Sequence, residues 1–580
     1  MGHDLIIRSG TIVDGSGGAR YRADVGVRDG KITEIGKISS RGSQEIDAEG
    51  HVVSPGFIDG HTHYDAQVNW DPLGTSSCWH GVTSVVMGNC GFTLAPSRST
   101  GRELVVRNLE RAEDISAKAM ALGINWNWET FPEYLDALET LPKGINYSVF
   151  VGHSALRTWA MGERAFEGEA SEDDMARMRA QLKDAVKAGA MGLSTSRNTG
   201  HETADNRPVA SRFASWDEIR ALVGTMGEAG TGIFEIANDV TTRIMDPQAR
   251  KRSLGLLRDL AVETKVPLTF SVIRLATEKP TDTSFRLHTP REIWRDFLDL
   301  FDATAAAGGT IFGLASSRDV NVLLSFKTQL PFDRLPVWKE FRAKPLAEQA
   351  ELLRDPETKA KLIKVANTAA YGRAIGQEAR PPNWDTMHVF DKPLPPYPRM
   401  AELAKQRGID PVSLMIDLSL EREFNCFFMQ FPTMADDDGL LEIMKHPRTI
   451  MTFSDAGAHV GQISDCSIQT HLLSWWVRER QALSLEQAIH SMTGRSAKCW
   501  GFADRGLIRE GMVADINVFD PKRVTARLPE VVYDLPGGAR RMIQRSDGFK
   551  ATIVGGKTVL LNGEHTGALP GRLLRSKKAA

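Results

Sequence analysis

Short apolar runs broken by glycine-containing turns open the chain. Leu5-Ile6-Ile7, Thr11-Ile12-Val13, Val25-Gly26-Val27 and Lys31-Ile32-Thr33 read as strands, and the pairs Asp14-Gly15 and Asp29-Gly30 between them are hairpin signals. The same texture returns at Ala514–Phe519 and Ala551–Val554, the latter followed by Gly555-Gly556. Neither end holds enough strands for an independent sheet. Residues 1–54 and 503–580 are therefore expected to pack together as one β-sandwich domain.

Between them the pattern changes. Buried-strand runs such as Thr83–Met87, Tyr147–Val151, Gly192–Ser194, Ile233–Ile236, Pro267–Phe270, Thr310–Gly313 and Ile450–Phe453 alternate with helix-period segments such as Asp173–Ala188. Repeated strand–helix units over residues 55–502 predict an α/β fold, a (β/α)8 TIM barrel with chemistry at the C-terminal ends of its strands. Residues 318–400 fit the alternation poorly and include Pro393-Leu394-Pro395-Pro396-Tyr397-Pro398. They are expected to form an insertion that serves as a lid, as a contact in a homo-oligomer, or as a surface excursion. No internal repeat of fixed period is visible.

Composition narrows the function classes. The 580 residues are 42% hydrophobic and 25% charged with a net charge of −2, ordinary for a globular protein and unlike a nucleic-acid binder. No run approaches the roughly 18 apolar residues of a membrane span. The N-terminus enters a strand pattern without a basic region followed by an apolar core, so no secretory signal is expected, and Ile6 stands where a myristoylation motif needs Ser or Thr. Five widely spaced cysteines, Cys78, Cys90, Cys426, Cys466 and Cys499, suit a reducing cytoplasm better than a disulfide framework.

The chemistry gathers where apolar strands end. In Phe57-Ile58-Asp59-Gly60-His61-Thr62-His63 two imidazoles one residue apart can point the same way from an extended backbone, giving half of a metal site. Cys90 ends the next strand in Gly88-Asn89-Cys90-Gly91, where a thiolate is a strong zinc ligand or a buried structural thiol. Asp455 and His459 follow the last predicted strand in Ser454-Asp455-Ala456-Gly457-Ala458-His459. In a closed barrel that strand lies beside the first, so Asp455 is expected to bind metal and to act as general base and acid, the alternative being a helix N-cap. Zinc would lower the pKa of its water to about 7 and polarise the scissile carbonyl. His459 suits a substrate contact or a simple loop position.

Together these segments resemble the amidohydrolase superfamily, and within it the N-acyl-D-amino-acid deacylases. The resemblance runs through Gly152-His153-Ser154-Ala155-Leu156-Arg157, Gly189-Ala190-Met191-Gly192-Leu193-Ser194-Thr195 and Gly511–Asp515. It implies hydrolysis of a linear amide of an N-acyl-amino acid, with His61, His63, Cys90 and Asp455 as zinc ligands. It also implies two further histidines at the ends of strands five and six, and neither Phe234–Asp239 nor Phe270–Arg274 contains one. One zinc ion rather than two is expected, with Glu235, Asn238 or His201 able to contribute in their place.

The family grips the product carboxylate with a Lys after strand six and an Arg beyond the catalytic Asp. Arg274 can take the first role. The span from Val460 to Val477 has no Arg for the second. Hydrolysis of a cyclic or carboxylate-free amide is the alternative, and a non-catalytic ligand-binding scaffold a further one. His153, Arg157 and His201 are candidate substrate contacts at the rim, with structural or solvated roles as the alternatives. The pairs Trp126/Trp128 and Trp475/Trp476 read as packing.

Overall fold

The computed structural model describes residues 2–237, 244, 246–273, 293–372, 380–431, 437–462 and 465–576. Asn238 and Arg274, named above, lie outside them.

Eight strand segments carry the central layer. They are β1 (Phe57–Asp59, continued by His61–Thr62), β2 (Val82–Met87), β3 (Asn146–Val149, continued by Val151–Gly152), β4 (Gly192–Ser196), β5 (Ile233–Ala237), β6 (Leu268–Ser271), β7 (Ile311–Ala315) and β8 (Thr449–Met451, continued by Phe453–Ala456). Each pairs in parallel with the next, and the cycle returns to its start where Phe453 of β8 pairs with His61 of β1. All six residues of β2 are buried, as expected for a parallel strand covered on both faces. Ile58, Val86, Phe150, Ile233, Leu314 and Ile450 meet Trp500 in one apolar cluster.

Helices connect these strands: α1 (Arg102–Glu110), α2 (His153–Met161), α3 (Glu172–Ala188), α4 (Trp216–Ala229), α5 (Pro247–Thr264) and α6 (Ile293–Ala306). Their ends follow local signals. Ser171 and Asp174 form a capping box at the start of α3, and Gly189 closes it with φ 106°. Among the described residues no helix is long and apolar enough to cross a membrane.

The two chain ends build one nine-stranded sheet, in which Val52–Pro55 pairs with Ile516–Phe519. Two details differ from the sequence reading. The runs at Leu5–Ile7 and Thr11–Val13 belong to one strand, His3–Ile12, with a register shift between Ile7 and Gly10 and Ser9 at φ 56°. The last residues leave the sheet: Leu574 N–H donates to Tyr147 O, and Tyr147 N–H to Arg572 O, along the start of β3. The hairpin at Asp29-Gly30 is as expected, both residues having positive φ.

The insertion is longer than residues 318–400. A three-stranded antiparallel sheet joins Val322–Leu324, Phe427–Gln430 and Met387–Phe390. It packs with its own apolar cluster around Trp338, Phe332 and Phe428. The strand Phe427–Gln430 closes the unit, and a short apolar run alone does not reveal so distant a partner.

Candidate active site

The bend in β1 sets the first two donors. Gly60 N–H and His61 N–H both donate to Thr452 O, at 3.0 and 3.1 Å, so β1 bulges against β8. Glycine is required there, since a β-carbon on residue 60 would fall 2.2 Å from the Trp500 ring. Beyond the bulge His61 and His63 are both buried, with ring centroids 5.3 Å apart. Phe453 packs on the edge of His61 at 4.8 Å.

Cys90 stands in a turn held from three sides. Its own φ is 56°, and Gly88 and Gly91 are each at φ 80°. Asn89 Nδ2 donates to Thr62 O and Val86 O, Gly88 N–H to Asp65 Oδ2, and Gly91 N–H to Ser194 Oγ. This network brings Cys90 Sγ to 3.4 Å from His61 Nε2. Asp455, at φ 57° in the last turn of β8, reaches back to the same place. Its Oδ1 is 3.1 Å from His63 Nε2 and 3.6 Å from His61 Nε2. His63, Ala456 and Gly457 lock the junction: His63 N–H donates to Ala456 O at 2.7 Å, and a β-carbon on Gly457 would meet His63 O at 2.6 Å.

Two carboxylates complete the cluster. Glu235 of β5, already considered as a substitute ligand, is fully buried and accepts the Cys90 N–H at 2.9 Å, with Oε1 3.7 Å from His61 Nδ1. Glu113, just past α1, was missed. Its Oε2 lies 3.7 Å from His63 Nε2, and nothing in Ala112-Glu113-Asp114 distinguishes it from a surface turn. His201 and His459 also line the cleft, whose volume is about 160 Å³, together with Ala237, Ser271 and Phe297. His201 Nδ1 is 2.8 Å from Ser196 Oγ.

Two expected contacts are elsewhere. His153 and Arg157 are fully buried in α2 and bind Glu218 of α4 instead of facing the cleft. The helix begins at His153 itself, and neither side chain is among the described residues that line the cleft. Trp128 and Trp476 are buried, their indole N–H groups donating to Leu94 O and Ser317 O, as packing residues should.

The electrostatics are those of a cation site. Burial pushes His61 down to about 3, away from the charged form. Burial also disfavours charge on His63, but Glu113 and Asp455 outweigh it and raise that imidazole to about 9. Burial lifts Glu235 to about 8 and raises Glu113 as well. His61 Nδ1, His63 Nδ1, Glu113 Oε1 and Glu235 Oε1 are buried with no hydrogen-bond partner. Donor atoms of His61, His63 and Cys90 lie within 4.8 Å of one another, as do those of His63, Glu113 and Asp455. Imidazole, thiolate and carboxylate converging in a buried cleft are the set that zinc takes, so the residues fit a bound divalent ion.

The amidohydrolase family model matches residues 44–560. The chain belongs to this family. An uncharacterised protein of Mycobacterium tuberculosis is 29% identical over 616 residues, covering 97% of this amidohydrolase and 93% of the relative. An N-acyl-D-aspartate deacylase of Alcaligenes xylosoxydans xylosoxydans is 29% identical over 585 residues, covering 98% and 95%. Two solved structures share the fold. A D-aminoacylase with a binuclear metal centre superimposes with a TM-score of 0.64 at 24% identity, covering 99% of this amidohydrolase and 100% of the other chain. An N-acyl-D-glutamate deacylase of Bordetella bronchiseptica, complexed with zinc and a phosphonate inhibitor, gives the same TM-score of 0.64 at 24% identity and the same coverage.

Proposed function

We propose that this amidohydrolase cleaves the linear amide of an N-acyl-amino acid, on a (β/α)8 barrel whose cyclic strand pairing brings β8 beside β1. The observation that carries the reading is a pair of close donor groups that share His63, namely His61, His63 and Cys90, and His63, Glu113 and Asp455, several of whose buried nitrogen and oxygen atoms have no hydrogen-bond partner. The deacylase activity of the relative in Alcaligenes, which matches along nearly the whole chain, supports the substrate class.

His61, His63, Cys90 and Asp455 would hold one zinc ion, with Glu235 holding the Cys90 backbone from behind. The ion, when bound, supplies Lewis-acid polarisation of the amide carbonyl and acidifies water. Asp455 accepts the proton of the attacking water as the oxygen bonds to the carbonyl carbon. It returns that proton to the nitrogen as the C–N bond breaks, leaving a carboxylic acid and an amine. His201 and His459, on the cleft wall, offer donors to the substrate oxygens.

The test is hydrolysis of an N-acetyl-D-amino-acid panel by zinc-loaded protein, repeated after chelation and with His61→Ala. Both treatments should abolish turnover, and activity that survives both overturns the proposal. A second reading keeps the site but takes an amide with no free carboxylate. It is favoured by the absence of Lys and Arg among the described residues lining the cleft. Faster amide cleavage in N-acyl-amino-acid esters than in the N-acyl-amino acids with a free carboxylate would select it.

A further inference from the structure

We infer that Gln462 is a positioning residue, through which the inserted unit holds the His459 loop against the cleft. The inference rests on the functional reading above, in which His459 offers a donor to the substrate, and adds the part of the molecule that aims it. Three segments far apart in sequence meet on the turn from His459 to Gln462.

The first is the inserted unit. Leu323 N–H, on its first strand, donates to Gln462 O at 2.5 Å, and the Gln462 side-chain amide donates to Gln329 Oε1. Gln329 stands in a turn that the unit fixes from inside. Ser325 N–H donates to Gln329 O at 3.1 Å, and the Arg342 guanidinium donates to Phe326 O and Thr328 O. The second segment is the loop beyond α1. Gln462 Nε2 reaches Asp114 Oδ2 at 3.3 Å, and the neighbouring Glu113 O accepts the His459 N–H. The third is a hairpin near the end of the chain, made by Glu530–Leu535 and Ala539–Ile543. Met542 N–H donates to Val460 O at 2.7 Å, while its side chain packs with Leu323, Phe427 and Met429 of the inserted sheet.

Gln462 is 3% exposed, and its own N–H donates to His459 O at 2.7 Å. One buried residue therefore joins the inserted unit, Asp114 and the His459 backbone. A side-chain amide suits the place because its nitrogen carries two donors, one for each acceptor; a carboxylate has none to give and an apolar chain leaves both acceptors without it. His459 has φ 44°, a left-handed conformation that costs energy for a residue with a β-carbon and persists only where the surroundings hold it. The bonds through Gln462 and Glu113 are what hold it.

The experiment compares the parent, Gln329→Ala and Gln462→Leu as full-length protein, by hydrogen–deuterium exchange and by kinetics on an N-acyl-D-amino acid. Gln329 is not among the described residues that line the cleft. Both variants should speed exchange of the His459 amide at least about fivefold, while the amides of β2 keep the parent rate. Both should raise KM about five- to tenfold with kcat within about twofold, because a substrate contact is loosened and the proton path is not. In a His459→Ala background either change should move KM by less than about twofold, since the contact it serves is gone. Unchanged exchange at His459 in both variants overturns the inference, and so does a KM effect that persists undiminished in His459→Ala. Should Gln462→Leu fail to fold, Gln329→Ala decides by the same readouts. A parent that hydrolyses no N-acyl-amino acid overturns the functional reading, and the exchange rates still decide whether the inserted unit holds the loop.

Discussion

The carbonyl oxygen of Glu113 accepts the backbone N–H of His459 at 2.6 Å. That bond ties the loop after β2, through α1, to the loop after β8, two segments almost 350 residues apart in sequence. It sets the Glu113 carboxylate beside His63 and the His459 side chain on the cleft wall. The candidate site is thus closed by backbone pairing as much as by its donors, and its variants divide into those that remove a reacting group and those that loosen the frame.

Asp455→Asn removes the proton acceptor while keeping the shape. We expect kcat on an N-acyl-D-amino acid to fall about a hundred- to ten-thousandfold. The unfolding midpoint should move little, because the amide can still face His63. Steady-state kinetics beside a urea melt check it; a loss of less than about tenfold would remove Asp455 from the proton path.

Gly457→Ala tests the junction of β8 with β1. The added methyl would meet His63 O at 2.6 Å on a backbone at φ 93°. The conflict with backbone should cost about 1–3 kcal/mol of stability and displace His63. Weaker metal binding in equilibrium dialysis should accompany it. An unchanged melt with full metal affinity would show that the junction yields freely.

Ser194→Ala should act on Cys90 without touching it. The hydroxyl accepts the Gly91 N–H at 3.0 Å and donates to Gly88 O. Both backbone groups are left buried without a partner, a loss of about 1–3 kcal/mol in denaturant unfolding. In Co²⁺-loaded protein the thiolate-to-cobalt absorbance band should shift with the turn. Ser194→Thr, which restores a hydroxyl, should recover part of the band position if the bond rather than the volume matters.

Glu218 supports the frame in a pH-dependent way. Burial works against its charge, but His153 and the Arg157 guanidinium prevail and lower its carboxyl from 4.5 to about 2. A carboxyl depressed in the folded state contributes stability that is complete above its unfolded pKa and is lost as pH falls toward the folded one. Glu218→Gln should therefore destabilise the protein by about 3 kcal/mol near neutrality, because Arg157 stays buried without its counter-charge. The gap from the parent should hold from about pH 7 to about pH 5 and narrow below 4.5. Thermal melts across that range decide it; a gap independent of pH would mean that packing rather than charge is lost.

Much of the fold was legible because burial writes itself into local pattern. Apolar runs such as Thr83–Met87 are β2, and the Asp29-Gly30 turn forms where its backbone preference directs. The insertion boundary was not legible, since Phe427–Gln430 acquires its meaning only from pairing with Val322–Leu324. His153 and Arg157 show the converse. Their place at the end of a strand suggested a rim contact, but a buried partner, Glu218, lies 65 and 61 positions further along the chain.

By itself the sequence determined the family, the strand–helix order and the candidate donors that sit at strand ends, His61, His63, Cys90 and Asp455. These are local properties: a residue type, a period and a glycine turn. Only the tertiary structure decided how the donors combine. The bulge at Gly60 aims the imidazoles, Glu235 backs the Cys90 turn, and Glu113 enters the cleft from a loop with no distinguishing pattern. A metal-binding geometry is a set of distances between side chains far apart in the chain, and those distances come into being only when the strand cycle brings β8 beside β1.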